Sequence, residues 1–196
     1  MIAWYAGIQY KDSRRTFKEV NEKIAAGKLK FDGIPNIHLP DGTQMGQTMS
    51  MMRWMGLAAK GKKGECLYPG KSDPEASYRI DEIFEFSESY SSTFGVHTKE
   101  AATIDMIKKV VDEHWTTLVV AMNNWLSENQ NPDFLVGNHI TMADIAFGQY
   151  LLRFPLNEHL PEDWRKLYLD EVSKYPKVQN YTYKTIKPTF YAWFMA

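Results

Sequence analysis

The sequence predicts a two-part protein, with a short α/β region followed by a longer all-helical region. A turn signal, Pro40-Asp41-Gly42, lies between two short stretches that can form strands in the first part. In the second part, apolar residues recur at spacings of three and four, the period of an α-helix. The polar, glycine-flanked run Lys60 to Gly64 separates the two and is expected to be a solvated linker. We therefore expect one domain over residues 1–60 and a helical domain over 73–196.

The composition narrows the class of protein. The chain has 196 residues, 44% of them hydrophobic, which is enough for a packed core. A net charge of -1 gives no global field that would favour nucleic acid or an anionic membrane. The single cysteine, Cys66, rules out an internal disulfide framework and predicts the cytoplasm or another reducing intracellular compartment. No apolar run reaches the roughly 20 residues of a transmembrane helix, and the N-terminus does not resemble a signal peptide.

The N-terminal residues predict a helix end, an edge strand and a second helix. Met1 to Ala6 is apolar and stops at Gly7, a residue typical of the position after a helix. Ile8 to Thr16 shows partial alternation and is expected to form a short edge strand. Phe17 to Ala26 can form a helix that Gly27 closes.

The next segment predicts a hairpin and a third helix. Asp32 to Thr43 is expected to form a strand, a tight turn and a second strand, with Pro35 at the strand entrance, where its missing N–H does no harm. Thr48 is expected to cap a helix over about Met49 to Ala58. Four methionines in this helix are spaced for core packing: Met49, Met51, Met52 and Met55.

Everything after the linker is expected to be helical. Asp73 can cap a helix from Pro74 to about Phe94, with proline in its first turn. A long helix is expected over about Thr98 to Ser127, and another over Trp164 to Lys174. The tail, Tyr175 to Ala196, ends in aromatic residues and is expected to dock on the core.

The best-defined helix start lies at Thr141. Thr141 and Asp144 have the spacing of a capping box, in which each side chain satisfies a backbone N–H that the helix start leaves unpaired. Ile140 and Ile145 fit the accompanying hydrophobic staple. The apolar helix that follows should end near Pro155. Many folds contain such a helix, so the box predicts structure and, by itself, no function.

Several motifs gain meaning from their order and spacing: Gly7 to Tyr10 with Arg15 to Phe17; Ile34 to Ile37 with Asp41-Gly42, Gln47-Thr48 and Arg53-Trp54; Leu135 to Gly137 with Thr141 to Asp144; and Tyr175 to Val178. With these motifs the chain resembles the cytosolic glutathione S-transferase family, nearest to its sigma-like members, over essentially its whole length. The resemblance implies an α/β thioredoxin-like N-terminal domain, here incomplete, and an all-α C-terminal helical domain. It also implies glutathione as substrate and a homodimer or a subunit of a larger assembly.

The resemblance places the glutathione site in the predicted hairpin. Pro35 would follow a cis peptide bond, and the backbone of Ile34 would pair with the cysteinyl part of glutathione like an added strand. Gln47 and Thr48 would bind the γ-glutamyl carboxylate, since a hydroxyl and N–H groups at a helix start favour an anion. Thr48 can also be a helix cap and nothing more.

The catalytic position of the family has no counterpart in this chain. Catalytic members place a Tyr, Ser or Cys at the end of the first strand, where it favours the thiolate of glutathione. The sequence begins inside what resembles the first helix, so the first strand is absent and no catalytic residue is assigned. Tyr5 and Tyr10 align with the helix end and the second strand. Loss of a central strand would expose sheet edges that invite pairing with another chain.

Other family positions are altered as well. Val20 stands where sigma-like members have Trp, and the glycine-carboxylate lysine could be Lys23, Lys28 or Lys30. Gly33 replaces a glutamine near the proline. The family's acids four apart on the fourth helix are here Asp81, Glu85 and Ser89, so that Glu88 would have to replace the last acid.

Two functions follow as hypotheses. The first is a transferase that joins glutathione to an electrophile, with Tyr90, Phe94 and His97 lining an acceptor pocket; weak or no conjugation is expected. The second is a non-catalytic, transferase-like subunit that serves as a structural or docking module. A redox function is disfavoured because no Cys-x-x-Cys is present, and the scattered histidines predict no metal site.

Overall fold

A computed structural model describes residues 1–90, 94 and 102–195. The chain forms two compact units, Ile2–Tyr68 and Pro69–Ala196, with Met1 assigned to the latter. We call these the N-terminal unit and the helical unit.

The N-terminal unit begins with two short helices. Helix α1, Ile2–Tyr5, ends as predicted at Gly7, whose φ of 65° lies in the left-handed region that glycine adopts without strain. Helix α2, Phe17–Ala25, is followed by Gly27 at φ 62°. Its start is a capping box that sequence reasoning missed: the Glu19 carboxylate accepts the Thr16 N–H at 2.8 Å.

The predicted edge strand over Ile8 to Thr16 is wrong. Residues 8–16 have no regular secondary structure, and residues 9–16 are all exposed. A strand is stabilised by a neighbour that accepts and donates its ladder of hydrogen bonds. Within the described residues the sheet has two strands, and neither pairs with this segment.

The predicted hairpin is present, with shorter strands. Strand β1, Ile37–His38, pairs antiparallel with β2, Gln44–Met45. The turn at Pro40-Asp41-Gly42 is confirmed: Gly42 has φ 86°, and the Leu39 N–H donates to the Thr43 carbonyl at 2.9 Å. The second strand begins after Thr43, because that residue still belongs to the turn, where its N–H donates to the Asp41 carboxylate at 2.9 Å.

Helix α3, Thr48–Ala58, follows the hairpin and corrects two expectations. Its N-cap is Gln47, and Thr48 is the first helical residue. The methionines are not all core residues: Met51 is 3% exposed, whereas the other three are only half-buried. Two larger apolar side chains of the helix, Trp54 and Leu57, are exposed at 39% and 58%.

Four of the five residues of the segment Lys60 to Gly64 are exposed, as expected, and the segment is folded. It forms a tight turn within the N-terminal unit, closed by a bridge between Lys60 and Cys66. The ammonium group of Lys62 lies 3.3 Å from the ring centre of Trp4, and the Tyr5 hydroxyl donates to Glu65 at 2.8 Å. Lys62 thus makes a cation–π contact with α1 while it remains exposed.

The helical unit contains the predicted long helices. Helix α4, Pro74–Ser89, is capped by Asp73, whose carboxylate accepts the Ala76 N–H at 3.0 Å. It ends earlier than Phe94, the end that the sequence predicted. The expected start of the next helix, Thr98, lies outside the described residues. The described helices are α4 (Pro74–Ser89), α5 (Ile104–Val110), α6 (Thr116–Glu128), α7 (Met142–Arg153), α8 (Glu162–Ser173), α9 (Pro176–Asn180) and α10 (Lys187–Phe194).

Two π-helical segments each join two of these helices into one longer helix. Val111–Trp115 connects α5 to α6, and Tyr181–Ile186 connects α9 to α10. The tail docks on the core as predicted, through four fully buried side chains: Val178, Tyr181, Ile186 and Phe190. The terminal aromatic residues are half-buried.

The capping box at Thr141 and Asp144 is confirmed. Asp144 is fully buried and accepts the Thr141 N–H at 2.8 Å and the Thr141 hydroxyl at 3.0 Å. It also accepts the Leu135 N–H at 2.9 Å and the Tyr181 hydroxyl at 3.0 Å, two partners that the sequence pattern did not indicate. Burial raises the pKa of Asp144, while these four donors oppose the rise. The carboxylate thus ties the start of α7 to a preceding loop and to the Tyr181–Ile186 segment.

We predict that Asp144→Ala lowers the free energy of unfolding by at least about 2 kcal/mol, because each buried donor left without an acceptor costs about 1–3 kcal/mol. Asp73→Ala removes an exposed cap and should cost only about 0.5–1 kcal/mol. Urea unfolding of both variants measures the difference. Equal costs for the two variants would contradict the central place of Asp144.

Candidate functional site

The four residues that the sequence associates with glutathione lie at one end of the hairpin. Ile34 and Pro35 precede β1, and Gln47 and Thr48 follow β2. The strand register pairs position 37 with 45 and 38 with 44. Both segments therefore lie at the end of the hairpin away from its turn. Three of the four are exposed and Thr48 is half-buried, so this end of the hairpin is accessible. We call it the open end.

The start of α3 supplies free donors at the open end. The first helical bond of this end runs from the Met51 N–H to the Gln47 carbonyl at 3.0 Å. Within the described part of the chain, the N–H groups of Thr48, Met49 and Ser50 have no acceptor. No acidic residue lies in the first turn. These free N–H groups and the positive end of the helix dipole favour an anionic ligand group.

The backbone around Gln47 and Pro35 is distinctive. Gln47 has φ 68°, a left-handed backbone conformation that residues other than Gly and Asn rarely adopt. The Ile34–Pro35 peptide bond is cis, as the resemblance implies. The side-chain amide of Asn36 donates to the Gly33 carbonyl and closes the loop before β1.

Sequence reasoning missed two further residues at this end. Phe31 is exposed at 61% and also has a left-handed backbone, with φ 60°. Its ring lies against Gly46, where an added Cβ would meet Phe31 Cδ2 at 2.8 Å, so only glycine allows this approach. The sequence signal for this contact is Gly46 itself, because a glycine directly before the helix cap Gln47 is not required by a turn there.

The structure distinguishes among the three candidate lysines. The Lys30 N–H donates to Gln44 Oε1 at 3.2 Å, and its ammonium group lies 5.2 Å from the ring centre of Phe31. Lys30 is therefore held beside the hairpin. Lys23 lies in α2 and Lys28 follows that helix. Val20, at the family's Trp position, is buried at 7% exposure and packs as a core residue.

The expectation that Tyr90, Phe94 and His97 line an acceptor pocket in the helical unit is partly wrong. Phe94 is 2% exposed and belongs to an aromatic core, with ring centres 4.8 Å from Phe154 and 5.6 Å from Tyr150. Tyr90 is half-buried and packs 6.0 Å from His114. His97 lies outside the described residues.

The acidic line on α4 carries a perturbed carboxyl group. Burial, with a smaller contribution from the nearby Glu85, raises the pKa of Glu88. Ser89, where the family has an acid, donates its hydroxyl to the Phe86 carbonyl at 2.7 Å and serves the helix end. Among the described residues, no group of three or more His, Cys, Asp or Glu side chains is arranged to hold a metal ion. Nor does that part of the chain contain a helix of the length and apolarity that a membrane crossing requires.

Comparison with known proteins decides the family. A model described as the glutathione S-transferase C-terminal domain matches residues 85–185, more than half of the chain. The chain belongs to the glutathione S-transferase family. Comparison with curated proteins gave no match.

Solved transferase structures share the fold over the whole chain. A glutathione S-transferase from Ascaris lumbricoides has a TM-score of 0.73 at 19% identity, covering 99% of this chain and 87% of that one. Monomeric Na-GST-3 from Necator americanus has a TM-score of 0.75 at 18% identity with the same coverage. Rat hPGDS complexed with a quinoline has a TM-score of 0.70 at 18% identity, again with 99% and 87% coverage. These likenesses establish a thioredoxin-like domain and a helical domain in the transferase architecture.

We predict that Glu88→Gln stabilises the protein at neutral pH. Because the pKa of Glu88 is raised in the folded state, its charged carboxylate destabilises the fold at neutral pH, and the uncharged glutamine removes that cost. The stabilisation should therefore shrink as the pH falls through the raised pKa, and vanish below the ordinary value of 4.5. Chemical unfolding across this pH range tests the trend. Glu75→Gln, in the first turn of the same helix, should instead destabilise at neutral pH, since a negative charge there is favourable. A constant gain for Glu88→Gln at every pH would contradict the account.

Proposed function

We propose that this chain binds glutathione at the open end of the hairpin and acts as a glutathione transferase-like protein of the sigma-like type. The observation that carries the proposal is the convergence of Ile34, Pro35, Gln47 and Thr48 at one accessible end beside a helix start with free N–H groups. Each of these features suits a different part of glutathione.

The γ-glutamyl carboxylate fits the start of α3. It would accept hydrogen bonds from the Thr48 hydroxyl and from the free N–H groups of the first turn. The cysteinyl part is an extended peptide unit and would pair with the backbone of Ile34, which is 59% exposed. Lys30 supports a third contact, with the glycine carboxylate, because its ammonium group is held beside the same hairpin.

Conjugation would require more than binding. The glutathione thiol must lose its proton, after which its sulfur forms a bond to the electrophile and the leaving group departs. A positioned donor that favours the thiolate provides much of that acceleration. In the N-terminal unit the Tyr5 hydroxyl already donates to Glu65, and Tyr10 is 54% exposed in an irregular segment. We infer that the described residues bind glutathione and, with Tyr5 committed to Glu65 and Tyr10 exposed, conjugate it weakly or not at all.

A second candidate is a non-catalytic subunit of a homodimer or a larger assembly. The exposed apolar side chains of the N-terminal unit support it, among them Phe17 at 86%, Phe31 at 61% and Leu57 at 58%. In such a subunit these side chains would take part in the contact with the partner, where they would form a contiguous apolar surface. The single cysteine supports the cytoplasm or another reducing compartment as the place where the protein acts.

We predict that the protein is retained on immobilised glutathione and is released by free glutathione. Thr48→Val removes the hydroxyl at the helix start and should weaken binding about tenfold or more, since a hydrogen bond to a charged group contributes about 1.5–3 kcal/mol. Thr43→Val makes the same change at the turn end of the hairpin and should leave affinity unchanged. Calorimetric titration with glutathione compares the two variants. Equal effects, or no retention of the parent protein, would refute the site.

We also predict little turnover of a standard aryl halide with glutathione, because the Tyr5 hydroxyl donates to Glu65 and Tyr10 is exposed in an irregular segment. The rate is measured by absorbance, with a complete family member as reference. Turnover comparable to that of the reference would overturn the inference of weak catalysis while leaving the binding site in place.

A further inference from the structure

The helical unit contains a small cleft that the proposed glutathione site does not use. It lies between α4 and the end of α6 and has a volume of ≈ 140 Å³. Pockets for drug-sized ligands measure about 300–1,000 Å³, so this cleft has room for a small molecule or a single head group. All the residues that line it belong to the helical unit. We call it the α4–α6 cleft.

Part of the cleft wall is apolar and held in place. Ile83 of α4 is 1% exposed, and Leu135 is 3% exposed. The Leu135 N–H donates to the buried Asp144 at 2.9 Å, which fixes this residue to the start of α7. A wall that is already ordered costs little conformational entropy when a ligand binds.

Two aromatic side chains also line the cleft. Trp125 is half-buried, and its ring centre lies 5.4 Å from that of Phe86 and 5.5 Å from that of Phe147, both in edge-to-face geometry. Tyr78 is 64% exposed, and its hydroxyl donates to Glu82 at 3.2 Å. The faces of such rings attract cations, because the π-electrons make them partly negative.

The acidic side chains of the cleft outweigh the basic one. Glu82 and Glu128 line it together with Arg79, so the formal charge of the lining residues is 1 − 2 = −1. The Arg79 guanidinium is also drawn to an acid outside the cleft, since its Nη2 lies 3.5 Å from Glu75 Oε1. The helical unit contains 12 Lys and Arg and 18 Asp and Glu, a formal charge of 12 − 18 = −6. Both the local and the overall charge therefore favour a cation over an anion.

Glu128 carries a negative charge that the helical unit does not compensate. It is the last residue of α6, where the helix dipole is negative, and no basic residue lies in the last turn. Glu128 is exposed, and its carboxylate has no hydrogen bond or ion pair within residues 1–90, 94 and 102–195. Lys177 donates to the Ser127 hydroxyl at 2.9 Å but does not line the cleft. A cation in the cleft would meet this carboxylate at the negative end of a helix.

We propose that the α4–α6 cleft binds a small organic ammonium ion. The charged head lies against the rings of Trp125 and Tyr78 and pairs with the carboxylates of Glu128 and Glu82, while its methyl or methylene groups contact the apolar wall. Aromatic rings are the groups by which proteins recognise quaternary ammonium ligands, and nearby carboxylates add to the attraction. This inference does not rest on glutathione binding, whose residues lie in the N-terminal unit.

The test uses the full chain and probes of similar shape that differ in charge: choline, the neutral 3,3-dimethylbutan-1-ol and the anion 3,3-dimethylbutyrate. A nuclear magnetic resonance titration that follows the indole N–H of Trp125 measures each affinity. We expect saturable binding of choline that weakens as salt is raised. The neutral probe should bind at least about fivefold more weakly, because it forms neither the cation–π contact nor the ion pairs. The anion should bind more weakly still.

Two variants with the same change in charge separate the cleft from the general field of the helical unit. Glu128→Gln removes a carboxylate from the cleft, whereas Glu162→Gln removes an exposed carboxylate at the start of α8. We expect choline affinity to fall about threefold for Glu128→Gln and less than about 1.5-fold for Glu162→Gln. Arg79→Gln should instead strengthen choline binding, because it removes the positive charge that lines the cleft.

Several results would overturn the proposal: no saturable shift with choline, equal affinity for choline and the neutral probe, or equal effects of Glu128→Gln and Glu162→Gln. Tighter binding of the anion that Arg79→Gln abolishes would assign the cleft to an anionic ligand. Because Glu128 is exposed, Glu128→Gln should leave the melting temperature unchanged, so that a loss of affinity is not a loss of folding.

Discussion

The helical unit depends on one buried carboxylate. Asp144 accepts four hydrogen bonds from three parts of the chain, so that the loop at Leu135, the start of α7 and the segment at Tyr181 are fixed together. A buried carboxylate is costly unless such donors replace water, so each of these partners contributes to stability. At the other end of α7, Phe154 packs with the fully buried Trp115 and Tyr168 in an aromatic core.

The N-terminal unit is organised by the hairpin instead. Two strands of two residues each bring the segment before β1 to the end of the hairpin where α3 begins. The left-handed backbone of Gln47 and the contact of Phe31 with Gly46 shape this end. The proposed glutathione site rests on these features.

Much of the architecture could be predicted from local sequence signals. The turn at Gly42, the cap at Asp73 and the box at Thr141 follow from short-range chemistry that the surrounding fold does not override. The strand over Ile8 to Thr16 could not be judged in the same way, since a strand depends on a distant partner. The Lys62 contact with Trp4 and the Tyr181 bond to Asp144 likewise join residues far apart in sequence. For the site, the motif indicated four residues, while Phe31 required the three-dimensional contact with Gly46.

The most direct test of the central claim is a nuclear magnetic resonance titration of the labelled protein with glutathione. The account predicts saturable shifts of the backbone amides of Ile34, Thr48 and Met49, with the amides around Asp144 unchanged. Those three amides lie at the open end of the hairpin, where the ligand should sit. Shifts confined to the helical unit, or none at saturating glutathione, would contradict it.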